Sequence, residues 1–222
     1  SVVYIGKNDK VFVGDKAKDA MIAEASRVAT EVKREMENEV VFDPSKGKFA
    51  EGQKSSKNYT PSQISSLILS KLKGYSSGVK KAVITVPAMF ADRARSATMD
   101  AAKLAGIEVL ALINEPTAAI LHYANLPGVN ISGKVLVFDL GGGTFDVTIA
   151  KVQGKSVDVI TSRGDKYLGG ADFDREIVKI LSEKYKKEKK SPLDEKDRKF
   201  ADIAEKLKRI LSVKDKASEV ID

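Results

Sequence analysis

The chain has no cysteine, a single histidine and no apolar run approaching the roughly 20 residues that cross a bilayer. Without cysteine, disulfides, thiolate metal sites and a cysteine nucleophile are all excluded. The one histidine, His122, falls within a helical pattern with no carboxylate spacing around it. It reads as structural, so Ser-His-Asp chemistry is unavailable. The opening Ser1-Val2-Val3-Tyr4-Ile5 carries no basic segment of the kind that begins a secretory signal, and a cytoplasmic location is the expectation. Aromatics are scarce, at 6%, and Tyr185 is the only aromatic within the lysine-rich run 184–190, which leaves no stacking platform for bases.

What is present is an ordinary globular composition, 42% hydrophobic and 31% charged over 222 residues, enough for one large domain or two small lobes. The net charge is +7. A basic balance suits nucleic acid, an anionic membrane or a polyphosphate ligand, and equally a solvated lysine-rich surface. Lys184, Lys186, Lys187, Lys189 and Lys190 are interspersed with Glu183, Glu188, Asp194, Glu195 and Asp197, a pattern of mixed-charge helix and loop. Nucleic acid and membrane are therefore not expected partners.

Val2–Ile5 and Val11–Val13 about the turn Gly6-Lys7-Asn8-Asp9 predict a hairpin. Ala17, Met21, Ala25, Val28 and Val32 recur at steps of three or four and predict a helix over 15–37. Residues 43–61 read as loop or weak strand, and a helix follows from Ser62 to about Lys73. Ala82–Val86 is a β-branched run suited to a strand buried on both faces, with Val109–Ile113 a second. Between them Asp92 is the expected N-cap of a helix ending at Gly106, and Pro116 opens another that runs to Tyr123. The order strand, helix, strand, helix predicts an α/β layer. After a linker over 126–133 come strands at 134–139, 145–152 and 156–162, then helices at 171–187 and 197–212 with a break at Ser191-Pro192. Ser218–Asp222 resembles a strand beginning.

The sharpest feature is Phe138-Asp139-Leu140-Gly141-Gly142-Gly143-Thr144-Phe145-Asp146. A strand delivers a carboxylate, then three glycines and a hydroxyl, then a second strand with another carboxylate. Successive glycines let backbone approach a ligand closely, and successive N–H groups make a concave site for phosphate oxygens. Asp139 can hold Mg²⁺ through water, because that ion keeps most of its hydration and favours a carboxylate beside phosphates. Thr144 can donate to a terminal phosphate oxygen. No Gly-Lys-Ser/Thr follows and a strand comes next, so this is not a Walker A loop.

Gly169-Gly170 ahead of Ala171-Asp172-Phe173-Asp174 is a candidate second cradle at a helix N-terminus, or a plain strand-to-helix turn. Glu205, Lys208, Arg209 and Ser212 share one side of the last helix, as a solvated stripe or as a nucleoside seat, with Glu for sugar hydroxyls and Arg to stack on a base. Lys33 and Arg34 read as surface charges on the early helix. Glu115 is a helix-start acid that can also position a water.

Ile84-Thr85-Val86-Pro87-Ala88-Met89-Phe90, Ile113-Asn114-Glu115-Pro116-Thr117-Ala118-Ala119, the Asp139–Asp146 segment and Leu168-Gly169-Gly170-Ala171-Asp172-Phe173-Asp174 occur in one order. Together they resemble the nucleotide-binding domain of the seventy-kilodalton heat-shock chaperones, the DnaK-type family. The resemblance covers nearly the whole chain and is tightest over 80–175. It implies an actin-like (ribonuclease H-like) α/β ATPase fold of two lobes with ATP or ADP and Mg²⁺ between them. Lobe I would be 1–132, with 1–60 peripheral and 61–132 core. Lobe II would be 133–222, with 133–171 core and 172–222 the start of a peripheral subdomain.

By the same resemblance Lys33 is the catalytic lysine, Glu115 the catalytic-site glutamate and Asp139 the magnesium-side carboxylate, holding the metal through water. Gly141, Gly142, Gly143 and Thr144 hold phosphate. Gly169 and Gly170 belong to the second loop, and Glu205, Lys208, Arg209 and Ser212 lie on the adenosine helix. Pro87 and Arg95 fall on the family's proline switch and its coupled arginine.

The resemblance departs from the family at Met89, where a tyrosine is usual, and at 35–60 and 74–80, which look shortened. The family's first phosphate loop would precede Ser1 and its adenine loop would follow Asp222, so the chain reads as a truncated domain. The expected function is the ATPase of a molecular chaperone, with a J-domain co-chaperone, a nucleotide exchange factor and unfolded client peptides as partners through a further domain. The alternative is a nucleotide-sensing or partner-binding module without effective hydrolysis. A sugar or acetate kinase on the same fold is a third class, for which no small-substrate motif is visible.

Overall fold

The computed structural model describes residues 1–8, 10–76, 78–154, 156–189 and 198–220. The fold is α/β, with one three-stranded antiparallel sheet at the start of the chain and another over 133–165, a two-stranded antiparallel ribbon and a two-stranded parallel sheet. The expected break at Ser191-Pro192, with Lys190, Asp194, Glu195 and Asp197, lies outside the described residues. So do Ile221 and Asp222, and Ser218–Val220 before them form no strand.

Strands β1 (Val2–Ile5) and β2 (Val11–Val13) form the expected hairpin. The long helix expected over 15–37 does not form. Helix α1 stops at Asp15–Glu24, and Val28–Thr30 becomes strand β3 on the other edge of β1, pairing Val3 with Ala29. The apolar steps of three and four are compatible with a helix, but as a strand this segment places Val28 and Ala29 beside Val3, all three buried. A short 3-10 turn, Val32–Glu35, then carries Lys33 and Arg34. Within 43–61, read as loop or weak strand, the strand alternative holds at 48–51: β4 (Val40–Asp43) and β5 (Lys48–Glu51) form an antiparallel ribbon, and loop follows it.

Helix α2 (Pro61–Lys73) begins on a capping box, the Thr60 hydroxyl accepting from Gln63 N–H while the Gln63 side chain accepts from Thr60 N–H. Such a cap contributes about 1 kcal/mol. Its Ile64 closes a core of Val3, Ile5, Ala29, Val32 and Phe42.

Strand β6 (Lys81–Val86), helix α3 (Asp92–Leu104), strand β7 (Glu108–Asn114) and helix α4 (Glu115–Ala124) give the expected βαβα order, β6 and β7 pairing in parallel. The strands are not buried on both faces as expected. One face packs on Ala102, Ala105 and Ile107, whereas Val83 is 52% and Leu110 60% exposed on the other. Two strands with helices against a single face leave the second face bare. The N-cap of α3 is Ala91, not Asp92, which sits inside the first turn. The missing cap is supplied from a distance, because Ala91 N–H donates to the Glu37 carboxylate at 3.1 Å. Arg95 on α3 donates to Phe90 O at 2.9 Å and to Asn114 Oδ1 at 2.6 Å, binding the segment after the buried Pro87 to the end of β7.

Strands β8 (Gly133–Leu140), β9 (Phe145–Gln153) and β10 (Ser156–Asp165) make an antiparallel sheet in the order β10-β9-β8. One face, with Ala150 and Val152, packs on Ile120 of α4. The opposite face carries Leu136, Phe138 and Leu140, each more than 40% exposed. Helices α5 (Gly170–Lys189) and α6 (Arg198–Leu211) pack through Val178, Phe200 and Ala204. The lysines at 184, 186 and 187 lie on the solvated side of α5.

Candidate functional site

Pairing of β8 with β9 puts Leu140 opposite Phe145 and Asp139 opposite Asp146, leaving Gly141–Thr144 as the connecting turn. Residues paired across an antiparallel ladder share a face, so both carboxylates stand together on the side covered by α4. Glu115, the first residue of α4, reaches the same place. Asp146 is 2% exposed and its Oδ1 has no hydrogen-bond partner. Burial, with Glu115 and Asp139 nearby, pushes its pKa above the ordinary aspartate value, only partly offset by Lys33. A buried orphan oxygen among like charges is a place where a cation would relieve an existing cost.

Two acids facing each other do not make a metal cage, and no group of three or more His, Asp or Glu suited to a metal occurs among the described residues. A sparse carboxylate set fits Mg²⁺, which completes its shell with water and phosphate oxygens, better than an ion needing an all-protein shell.

Opposite the acids, Lys33 Nζ donates to both Glu115 oxygens, at 2.8 and 3.1 Å. Although read from sequence as a surface charge, Lys33 lines a cleft of about 1040 Å³ together with Glu115, Asp139, Gly141, Gly142, Gly143 and Thr144. Among the described residues the N–H groups of Gly142, Gly143 and Thr144 donate to no protein acceptor, while Gly141 N–H closes the turn onto Thr144 O at 2.9 Å. Three successive free N–H groups are a nest for anionic oxygens.

The second glycine turn lies against the first and is already engaged. Gly170 N–H donates to Gly141 O at 3.0 Å, Ala171 N–H to Gly142 O at 2.9 Å and Gly169 N–H to Asp172 Oδ2 at 2.8 Å. In this conformation those donors buttress the first turn. Gly170 borders the cleft, and Gly169 is buried behind it.

Helix α6 brings two of its four candidates to the same cleft, Glu205 and Lys208. Glu205 accepts from Lys18 of α1 at 2.7 Å, and that bond, ahead of nearby cations, holds its pKa below the ordinary glutamate value. Lys208 donates to Gly170 O at 2.8 Å and pairs with Asp174 at 2.7 Å. Arg209 and Ser212 are not among the lining residues: Arg209 is largely exposed and pairs with Glu205, and Ser212 donates back to Lys208 O.

The sequence shows Asp146 only as a second carboxylate without an assigned role, although the near-palindrome Asp-Leu…Phe-Asp about a four-residue turn encodes its pairing with Asp139. From sequence Arg34 also reads as surface. Arg34 is 6% exposed, its Nε donating to Gly143 O at 2.7 Å and its NH2 to Asp172 Oδ2 at 2.5 Å. Nothing in the local pattern around Lys33-Arg34 separates the two residues.

Residues 1–221 match the family model described as Hsp70 protein. Among curated proteins, the chain is 43% identical over 223 residues to the Chaperone protein DnaK of Thermotoga neapolitana and, equally, of Thermotoga maritima. It is 42% identical over 227 residues to that of Thermosipho africanus. Each alignment covers 96% of this chain and 35% of the relative, so the chain spans about a third of the length of the curated relatives it matches.

Proposed function

The chain belongs to the Hsp70 family, and on that premise we propose that it is the greater part of an ATP-binding and ATP-hydrolysing domain of a DnaK-type chaperone. The supporting observation is the convergence of the 142–144 turn, Asp139 and the Lys33–Glu115 pair on one cleft, with Asp146 buried directly behind Asp139 as its cross-strand partner. In this reading the domain is actin-like and two-lobed, with residues 1–132 and 133–222 flanking the nucleotide.

The 142–144 N–H groups and the Thr144 hydroxyl receive phosphate oxygens. Asp139, through water, and Asp146 provide negative charge for Mg²⁺, which when bound neutralises charge on the phosphates. Glu115 orients the attacking water. The water oxygen bonds to the γ-phosphorus as the bond to the β–γ bridging oxygen breaks, giving ADP, inorganic phosphate and a released proton. Lys33 stabilises the charge gathering on the γ-oxygens. Glu205 and Lys208 flank the nucleoside end, and Arg209 and Ser212 join it only if the end of α6 turns toward the cleft. The nucleotide state then resets peptide affinity elsewhere, with a J-domain co-chaperone, an exchange factor and unfolded clients as partners. The location is cytoplasmic.

The direct test is Lys33→Ala. We expect ATP to remain bound while single-turnover hydrolysis falls on the order of 100-fold. Unchanged turnover removes Lys33 from the mechanism, and absence of ATP binding by the unsubstituted protein overturns the reading. ATP binding without any hydrolysis would favour a nucleotide-sensing module.

A further inference from the structure

Among the described residues Arg34 is the one buried cation, and its guanidinium touches three separate parts of the chain. Nε donates to Gly143 O at 2.7 Å. NH2 donates to Asp172 Oδ2 at 2.5 Å, the same oxygen that accepts Gly169 N–H at 2.8 Å. NH1 donates to Glu31 Oε2 at 3.0 Å. Arg175 closes the ring by donating to Glu31 Oε1 at 3.1 Å and to Asp172.

We propose that Arg34 is the positioning residue that holds the 142–144 turn in its phosphate-receiving conformation and in register with Lys33. The proposal rests on the ATPase reading and assigns the turn's geometry to one side chain.

A trans peptide is planar, so a carbonyl pinned in one direction turns the N–H of the same unit the opposite way. Pinning Gly143 O on Arg34 therefore fixes the direction of the Thr144 N–H, one of the free donors. The second edge of the fork fixes the turn that buttresses the first. Residues 33 and 34 are neighbours only about 3.8 Å apart along the chain, so the lysine anchored on Glu115 and the turn anchored on Arg34 cannot shift independently. Glu31 adds a further sign of constraint. It is the one non-glycine residue with positive φ, 55°, among those described, a conformation kept where surrounding contacts enforce it. Lysine could supply the charge but not the planar fork that reaches Gly143, Asp172 and Glu31 at once.

Amide hydrogen exchange on the nucleotide-free protein is the first measurement, with Arg34→Lys. Gly170 and Ala171 N–H, bonded to the first turn, should exchange about tenfold faster, the scale of one lost charge-assisted hydrogen bond, with β9 unchanged. Calorimetry should then show ADP affinity reduced about tenfold and adenosine affinity unaltered. Unchanged exchange at Gly170 and Ala171 overturns the proposal. So does exchange accelerated equally in β9, which marks general destabilisation, or an equal fall in ADP and adenosine affinity. If Arg34→Lys does not fold, Asp172→Ala carries the same test through acceleration at Gly170 and Ala171, because Gly169 N–H loses its own acceptor in that variant whatever Arg34 does. Unsubstituted protein that binds neither ADP nor ATP would sink the ATP reading, whereas the exchange result still decides whether Arg34 positions the turn.

Discussion

The two glycine turns look interchangeable in sequence and are used in opposite ways. Gly141–Gly143 borders a cleft and leaves its later N–H groups without protein acceptors among the described residues, whereas Gly169–Gly170 spends its donors on Asp172 and on a carbonyl of the first turn. The difference arises from what lies opposite. A glycine run states that backbone can come close, and only the partner decides whether the approach serves a ligand or another stretch of chain.

The contrast is broken most severely by Gly169→Ala. A Cβ there would lie 2.6 Å from Gly143 N and 2.7 Å from Gly142 C, atoms of backbone that cannot swing aside. We expect a loss of about 3 kcal/mol in denaturant unfolding, together with loss of nucleotide binding. Asp146→Asn should act in the other direction. Removing one of two facing carboxylates stabilises the nucleotide-free protein by up to about 1 kcal/mol, the scale of a cross-strand charge pair, and weakens the Mg²⁺ dependence of binding. The native pKa of Asp146 is raised, so its ionisation costs stability as pH climbs above the ordinary value of 3.8. The advantage of the Asn variant should therefore vanish below that pH in a thermal melt.

Gly142→Ala sharpens the comparison with Gly169. Its Cβ meets nothing within 4 Å, so stability should change by less than about 0.5 kcal/mol while calorimetry shows weaker ADP binding. Smallest in reach, because it bears on stability alone, is Glu37→Gln, which loosens the second turn from outside by weakening the contact with Lys166 at 2.9 Å. The bond from Lys166, then that from Ala91 N–H, holds the Glu37 pKa below its ordinary 4.5, so the stabilisation is present above that value and lost as pH falls through the native one. For a part-exposed pair the difference at neutral pH should be about 0.5 kcal/mol, closing in acid.

Local pattern made some of this legible. The β8–β9 hairpin, its turn and helices α2, α4 and α5 follow from alternation, caps and Pro placement, and the chemistry of Asp139 and the three glycines follows from residue type. What stayed hidden depends on distant partners. Val28–Thr30 carries helical spacing, yet β1 claims it as a strand. Glu205 meets Lys18 from the opposite part of the chain, and no spacing rule links them. Arg34 is adjacent to Lys33 and identical to it in charge, but points to a buried junction. The parallel pair β6–β7 has the composition of a doubly covered sheet without the second cover.

The bare face of β8 has a colloidal consequence. Leu136, Phe138 and Leu140 stand beside a strand edge with no strand partner among the described residues, a surface on which a second copy could settle. Copies carrying +7 repel one another across dilute buffer. At 1 M salt the range of that repulsion shrinks to about 3 Å, so this polypeptide should scatter light as separate particles in dilute salt and as growing ones in concentrated salt.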